Sequence, residues 1–93
     1  MYELIPTTKF KKDLKKIKNK GNDFELASKI LKTLQIKGVV GIPEIMKPHK
    51  LKGDYKDNWE CHIKPDLLII WFQIEKPKSI KLIRIGSHSE LFK

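Results

Sequence analysis

The sequence predicts an α+β domain, an antiparallel sheet of about four strands with an N-terminal helical hairpin packed on one face. Three observations carry this. Phe10, Leu14 and Ile17 fall at helical spacing, one apolar stripe on a segment otherwise rich in lysine. Trp59, Cys61 and Ile63 alternate with Glu60, His62 and Lys64, the period of a half-buried strand. Leu67 to Phe72 is unbroken apolar, which suits a central strand covered on both faces.

The elements follow in order. Tyr2 to Ile5 is a short strand ended by Pro6. Thr7 or Thr8 caps the first helix and Gly21 ends it. Asn22 starts the second, with Glu25 at capping-box spacing, and Gly38 stops it. Phe24, Ala27, Ile30, Leu31 and Leu34 form that helix's buried face. Helices joined this tightly are expected to be antiparallel neighbours. Val39 to Lys50 is a long connection carrying Gly41, Pro43 and Pro48, and it delivers His49. Leu51-Lys52-Gly53 reads as a short edge strand and Asp54 to Asn58 as a polar turn. Lys64-Pro65-Asp66-Leu67 turns the chain between the central strands, with Pro65 presetting the first central φ. Lys76 to Ser79 is a second hairpin turn. Ser79 to Ile85 is a last strand, interrupted by Arg84, and Gly86 to Phe92 closes the chain with one helical turn. Strands in succession with short turns pair antiparallel. The helices cover one face, and the other carries His62.

Ninety-three residues make one domain, spanning 1–93. The formal net charge is +9, from 20 Lys and Arg against 11 Asp and Glu, which favours a polyanion partner over a purely solvated surface. A lone Cys61 excludes an internal disulfide and a cysteine zinc site. No apolar run approaches a membrane span and no signal-peptide core is present, so a cytoplasmic protein without membrane association is expected.

Chemistry is expected from His49, His62 and His88, with Asp66 and Arg84. One histidine lies on a loop before the sheet, one on its open face and one after the last strand, positions that an antiparallel sheet can bring together. Such a set suits phosphodiester cleavage. A base takes a proton from a 2′-hydroxyl, an acid protonates the leaving 5′-oxygen, and a cation meets the extra phosphate charge. Imidazole serves either proton transfer near neutrality. Asp66 can orient a histidine. Arg84 can fork onto a phosphate. Zinc binding by the three histidines and Asp66 is the competitor, but their spacings are not the close-set pairs of zinc motifs, so no metal and no small-molecule cofactor is expected.

The pieces Lys47-Pro48-His49-Lys50-Leu51-Lys52-Gly53, Trp59-Glu60-Cys61-His62-Ile63-Lys64-Pro65-Asp66 and Arg84-Ile85-Gly86-Ser87-His88-Ser89-Glu90-Leu91-Phe92 resemble the YafQ branch of the RelE superfamily. These are ribosome-dependent mRNA-cleaving toxins of bacterial toxin–antitoxin pairs. The resemblance implies a RelE-like fold and a ribosome-dependent endoribonuclease. It implies an antitoxin partner, mRNA and the ribosome. It places His49, His62, Asp66, Arg84, His88 and Phe92 in the site. Lys52 and Lys64 are expected as further substrate contacts. Leu67 stands where family members can carry an aromatic, which removes one base-stacking surface. Phe92 reads equally as a stacking face or a C-terminal core anchor.

Two other functions remain open on the sequence. One is a non-enzymatic ParE-like gyrase inhibitor, against which the histidine set argues. The other is a basic RNA-binding module without catalysis.

Overall fold

The computed structural model describes residues 1–92. Its sheet is formed by β1 (Glu3–Pro6), β2 (His49–Lys50), β3 (Trp59–Lys64), β4 (Leu67–Glu75) and β5 (Lys78–Gly86), in the spatial order β1-β5-β4-β3-β2. The helices are α1 (Thr8–Ile17), α2 (Asp23–Lys37) and α3 (His88–Leu91). The expected antiparallel ladders form between β2 and β3, β3 and β4, and β4 and β5. The fifth strand departs from expectation. β1 lies parallel to β5, Glu3 to Pro6 against Ser79 to Leu82. The whole chain between them serves as the crossover that a parallel pair requires. The edge strand near residue 50 is His49–Lys50 rather than Leu51-Lys52-Gly53, because Leu51 and Asn58 already close the polar turn.

Thr7 joins α1 to this frame. Its hydroxyl accepts from the Phe10 amide at 3.2 Å and donates to the Leu82 carbonyl at 2.8 Å. Phe10 and Ile17 then enter the core. Burial of each large apolar side chain contributes about 1.5–3 kcal/mol. Asp13, which lies outside the apolar stripe, is buried as well. Asn22 precedes α2 in helical geometry, and its side chain makes no cap hydrogen bond, so the expected capping box does not form. Gly38 ends α2 at φ +67, a conformation that favours glycine.

The main core lies between the helices and one sheet face. It contains Phe10, Ala27, Leu34, Cys61, Ile69, Trp71, Ile80, Leu82 and Ile85. Leu67 also faces it. A second, smaller cluster covers part of the opposite face, where Leu91 of α3 lies on Leu68 and Ile70 with Leu51, Tyr55, Ile83 and Phe92 around them. This explains the unbroken apolar run of β4, whose two faces feed two cores. Ser87 and Glu90 fix α3 by a reciprocal capping box.

Candidate active site

Strand register assembles the site. Residues directly opposite across a ladder share a face. His49 opposes Glu60, Glu60 opposes Ile70, and Ile70 opposes Arg84, so one row crosses the helix-free face from β2 to β5. The next row runs from His62 through Leu68 to Gly86. With neighbouring strands about 4.8 Å apart, the backbone positions of Glu60 and Arg84 are separated by roughly 10 Å.

Arg84 reaches this face because of a bulge. The β4–β5 register shifts between the Ile70–Arg84 and Trp71–Leu82 pairs, leaving Ile83 as the extra residue. Strict alternation from Ile80 and Leu82 would send Arg84 into the main core. The bulge instead places Ile83 on the small cluster and returns Ile85 to the main core. The adjacent apolar pair Leu82-Ile83 followed by Ile85 is the trace of this switch in the sequence.

Glu60, on the polar side of the alternating strand, is not a surface residue. Its side chain is only 5% exposed and sits between two imidazoles. Glu60 Oε1 lies 3.3 Å from His49 Nε2 and 3.9 Å from His62 Nε2. Its Oε2 is buried without a hydrogen-bond partner among the described residues. His49 is oriented from behind. Its Nδ1 lies 2.8 Å from the Lys47 carbonyl, which can only accept, so Nδ1 carries a proton and Nε2 faces Glu60. Lys47 itself holds a left-handed φ of 52, which bends the chain into β2. The signal that could have found Glu60 is its spacing of two from His62, on the same face of one strand.

The remaining expected residues divide. His88 opens α3, with its ring centroid 4.9 Å from that of Phe92 and the planes tilted by 36°. Phe92 also meets Tyr55 edge-on at 5.7 Å. It is thus both a half-buried anchor of the small cluster and a ring surface beside His88. Asp66, expected to orient a histidine ring, instead meets a backbone amide. Its Oδ1 accepts from the His88 backbone amide at 3.2 Å, tying the β3–β4 turn to the start of α3. The β3–β4 register shifts next to His62, and Asp66 lies in the turn just after it. Arg84 faces Asp13, its Nε 2.7 Å from Oδ2 and its Nη2 3.1 Å from Oδ1. That hydrogen bonding and the charge of Asp13 hold the guanidinium above its already high pKa, against the opposing effect of burial. Lys64 is committed to α2, its Nζ 2.6 Å from Asp23 Oδ1, because the end of β3 passes the start of that helix. Lys52 is exposed before the Gly53–Tyr55 turn.

This arrangement offers proton transfer by imidazole and carboxylate, plus fixed positive charge. Burial pushes the Cys61 thiol up to about 12, so it is no nucleophile at neutral pH. No group of three His, Cys, Asp or Glu among the described residues is arranged to hold a metal ion. A groove of about 620 Å³ adjoins His62, lined also by Ile45, Met46, Lys47, Ile63, Lys64 and Pro65. No helix among the described residues is long and apolar enough to cross a membrane.

Residues 2–93 match the family model described as the bacterial toxin of type II toxin–antitoxin system, YafQ. The mRNA interferase toxin YafQ of Escherichia coli K12 is 30% identical over 83 residues, covering 89% of this chain and 87% of that protein. A metal-bound toxin from Helicobacter pylori is 39% identical in its crystal structure, with a TM-score of 0.84 over 99% of this chain and 100% of that one. The Escherichia coli DinJ–YafQ complex contains a chain 27% identical to this one, with a TM-score of 0.82 and full coverage of both.

Proposed function

The chain belongs to the YafQ family of bacterial type II toxin–antitoxin toxins, and from that premise we propose that it is an mRNA interferase, an endoribonuclease that cuts mRNA on the ribosome. The observation that carries the reading is the Glu60 carboxylate between the imidazoles of His49 and His62, in a row that ends at Arg84. A gyrase inhibitor or a plain RNA-binding module needs no such constellation.

The chemistry proposed is acid–base transfer through the RNA's own 2′-hydroxyl. His62, with Glu60 behind it, takes the 2′-proton, and the attacking oxygen closes on the phosphorus. His88 returns a proton to the leaving 5′-oxygen, with Phe92 offering a ring face to a neighbouring base. His49 holds Glu60 from its other side, and Arg84 faces the phosphate as charge builds on its oxygens. Glu60 takes the supporting role that the sequence reading gave to Asp66. The donor set of imidazole, carboxylate and guanidinium supports these steps without a metal ion. The products are a 2′,3′-cyclic phosphate and a 5′-hydroxyl end.

The test uses ribosomes programmed with a defined mRNA. A 2′-deoxy nucleotide at the cut should block cleavage, because it removes the attacking oxygen. Full cleavage of the deoxy substrate would overturn the mechanism. An mRNA left uncut while gyrase stalls would overturn the nuclease reading.

The partners follow from charge and family. A small antitoxin with an acidic segment covers the basic surface, and the lysines of α1 meet the ribosome's RNA. Complementary charge accelerates association and loses effect in salt. Toxin–antitoxin association measured by stopped flow should therefore slow as salt rises, and a salt-independent rate would refute electrostatic steering.

A further inference from the structure

We propose that Asp13 is a positioning residue for this reaction, fixing through Arg84 the orientation in which the guanidinium meets the phosphate. The inference rests on the nuclease reading above and concerns a residue far from the histidines in sequence.

Asp13 is the one acidic residue of α1, whose neighbours Lys9, Lys11, Lys12, Lys15 and Lys16 carry the basic face. It is 7% exposed. A carboxylate removed from water must find donors, and Asp13 finds three. Arg84 supplies Nε and Nη2, and the Ile85 amide donates to Oδ2 at 3.1 Å. The Ile85 amide lies on β5 beyond Leu82, where β1 no longer pairs with that strand, so Asp13 also closes an open stretch of edge.

The chemical consequence lies in which guanidinium edge is used. Arginine has five N–H donors in a rigid plane. Asp13 takes the Nε hydrogen and one on Nη2, leaving both Nη1 hydrogens and the outer Nη2 hydrogen. The Tyr55 hydroxyl lies beside the same group, from the side of the small cluster. A free arginine side chain loses rotamer entropy when it binds. Here that loss falls on folding instead, and the remaining edge is presented in one direction.

Asp13 cannot help by charge, since a carboxylate near the phosphate repels it. A positioning role and a charge role therefore predict opposite signs. Removing the charge should leave ground-state RNA binding equal or tighter, while orientation is lost at the transition state.

The experiment is the Asp13→Asn variant, assayed for single-site cleavage on programmed ribosomes, alone and combined with Arg84→Gln. Asparagine keeps one acceptor for the Ile85 amide, and thermal denaturation checks that the variant is folded. We expect kcat to fall about 10–100-fold, as for a modest misplacement of a catalytic group, with KM unchanged or lower. The penalty should vanish in the Arg84→Gln background, because Asp13 acts only through that side chain. Arg84→Lys, which keeps the charge but loses the fork, should reproduce the kcat loss. An unchanged kcat, or an equal penalty in both backgrounds, would overturn the proposal. The Arg84 Nε–H resonance in labelled full-length protein separates this from failure of the nuclease reading. A slowly exchanging Nε–H that is lost in Asp13→Asn supports the clamp even if no RNA is cut. One that exchanges freely in the parent protein overturns it.

Discussion

Replacing Glu60 by glutamine should separate stability from activity. The substitution keeps the side chain's shape and removes its charge. In the parent, the carboxylate is buried on the sheet face, with Oε2 lacking a hydrogen-bond partner among the described residues. A buried polar group in that condition costs about 1–3 kcal/mol. Against this stand the contacts of Oε1 with His49 and His62 at 3.3 and 3.9 Å, the second too long for a hydrogen bond. Glutamine keeps an acceptor and adds a donor that can meet an unprotonated imidazole nitrogen. The opposing changes are similar in size, so unfolding free energy should stay within about 1 kcal/mol of the parent or rise. For a chain of this length that corresponds to a Tm change of at most about 4–8 °C. Cleavage should instead fall by about 10²–10⁴-fold, the loss expected when an acid–base group or its close support is disabled. Thermal denaturation and single-turnover cleavage on the same preparation decide the matter. Parent-like cleavage would refute the role given to Glu60. A destabilisation beyond about 3 kcal/mol would show instead that the carboxylate is there to hold the fold.

Two further outcomes follow from the scaffold. The Ser87 amide and hydroxyl hold Glu90 below the ordinary carboxylate range. Because its folded pKa is depressed, its contribution to stability is present above the unfolded value of about 4.3 and is lost as pH falls through the folded one. Urea unfolding from pH 6 down to pH 3 should show that loss shrink in Glu90→Gln, and an identical pH profile would contradict the assignment. Gly38→Ala should be strongly destabilising. At φ +67 an added Cβ lies 2.8 Å from Tyr2 Cε1 and 2.9 Å from Gln73 Nε2. Backbone strain of about 1–3 kcal/mol then adds to overpacking of about 1–3 kcal/mol. A Tm within 2 °C or so of the parent would show that the Tyr2 ring yields.

The sequence by itself determined which apolar residues turn inward and where most elements begin and end. Alternation along Trp59 to Lys64 assigns Cys61 and Ile63 to the core and His62 to the other face, because a strand's side chains repeat every two residues whatever it pairs with. Thr7 and Gly38 mark their helix ends because capping depends on a few adjacent backbone groups. The tertiary structure alone decided which polar side chains meet. Glu60 lies between His49 and His62 only because the two residues of β2 pair in that register. Arg84 shares a sheet face with Glu60 only because Ile83 is bulged. Asp13 and Arg84 find each other across 71 positions of chain, Asp66 is drawn to the His88 amide rather than to an imidazole, and Lys64 goes to Asp23. An apolar side chain is satisfied by any well-packed neighbour, so its pattern is readable locally. A buried charge needs specific donors at about 3 Å, and which donors arrive is set by register, bulges and a parallel strand pairing that no local stretch encodes.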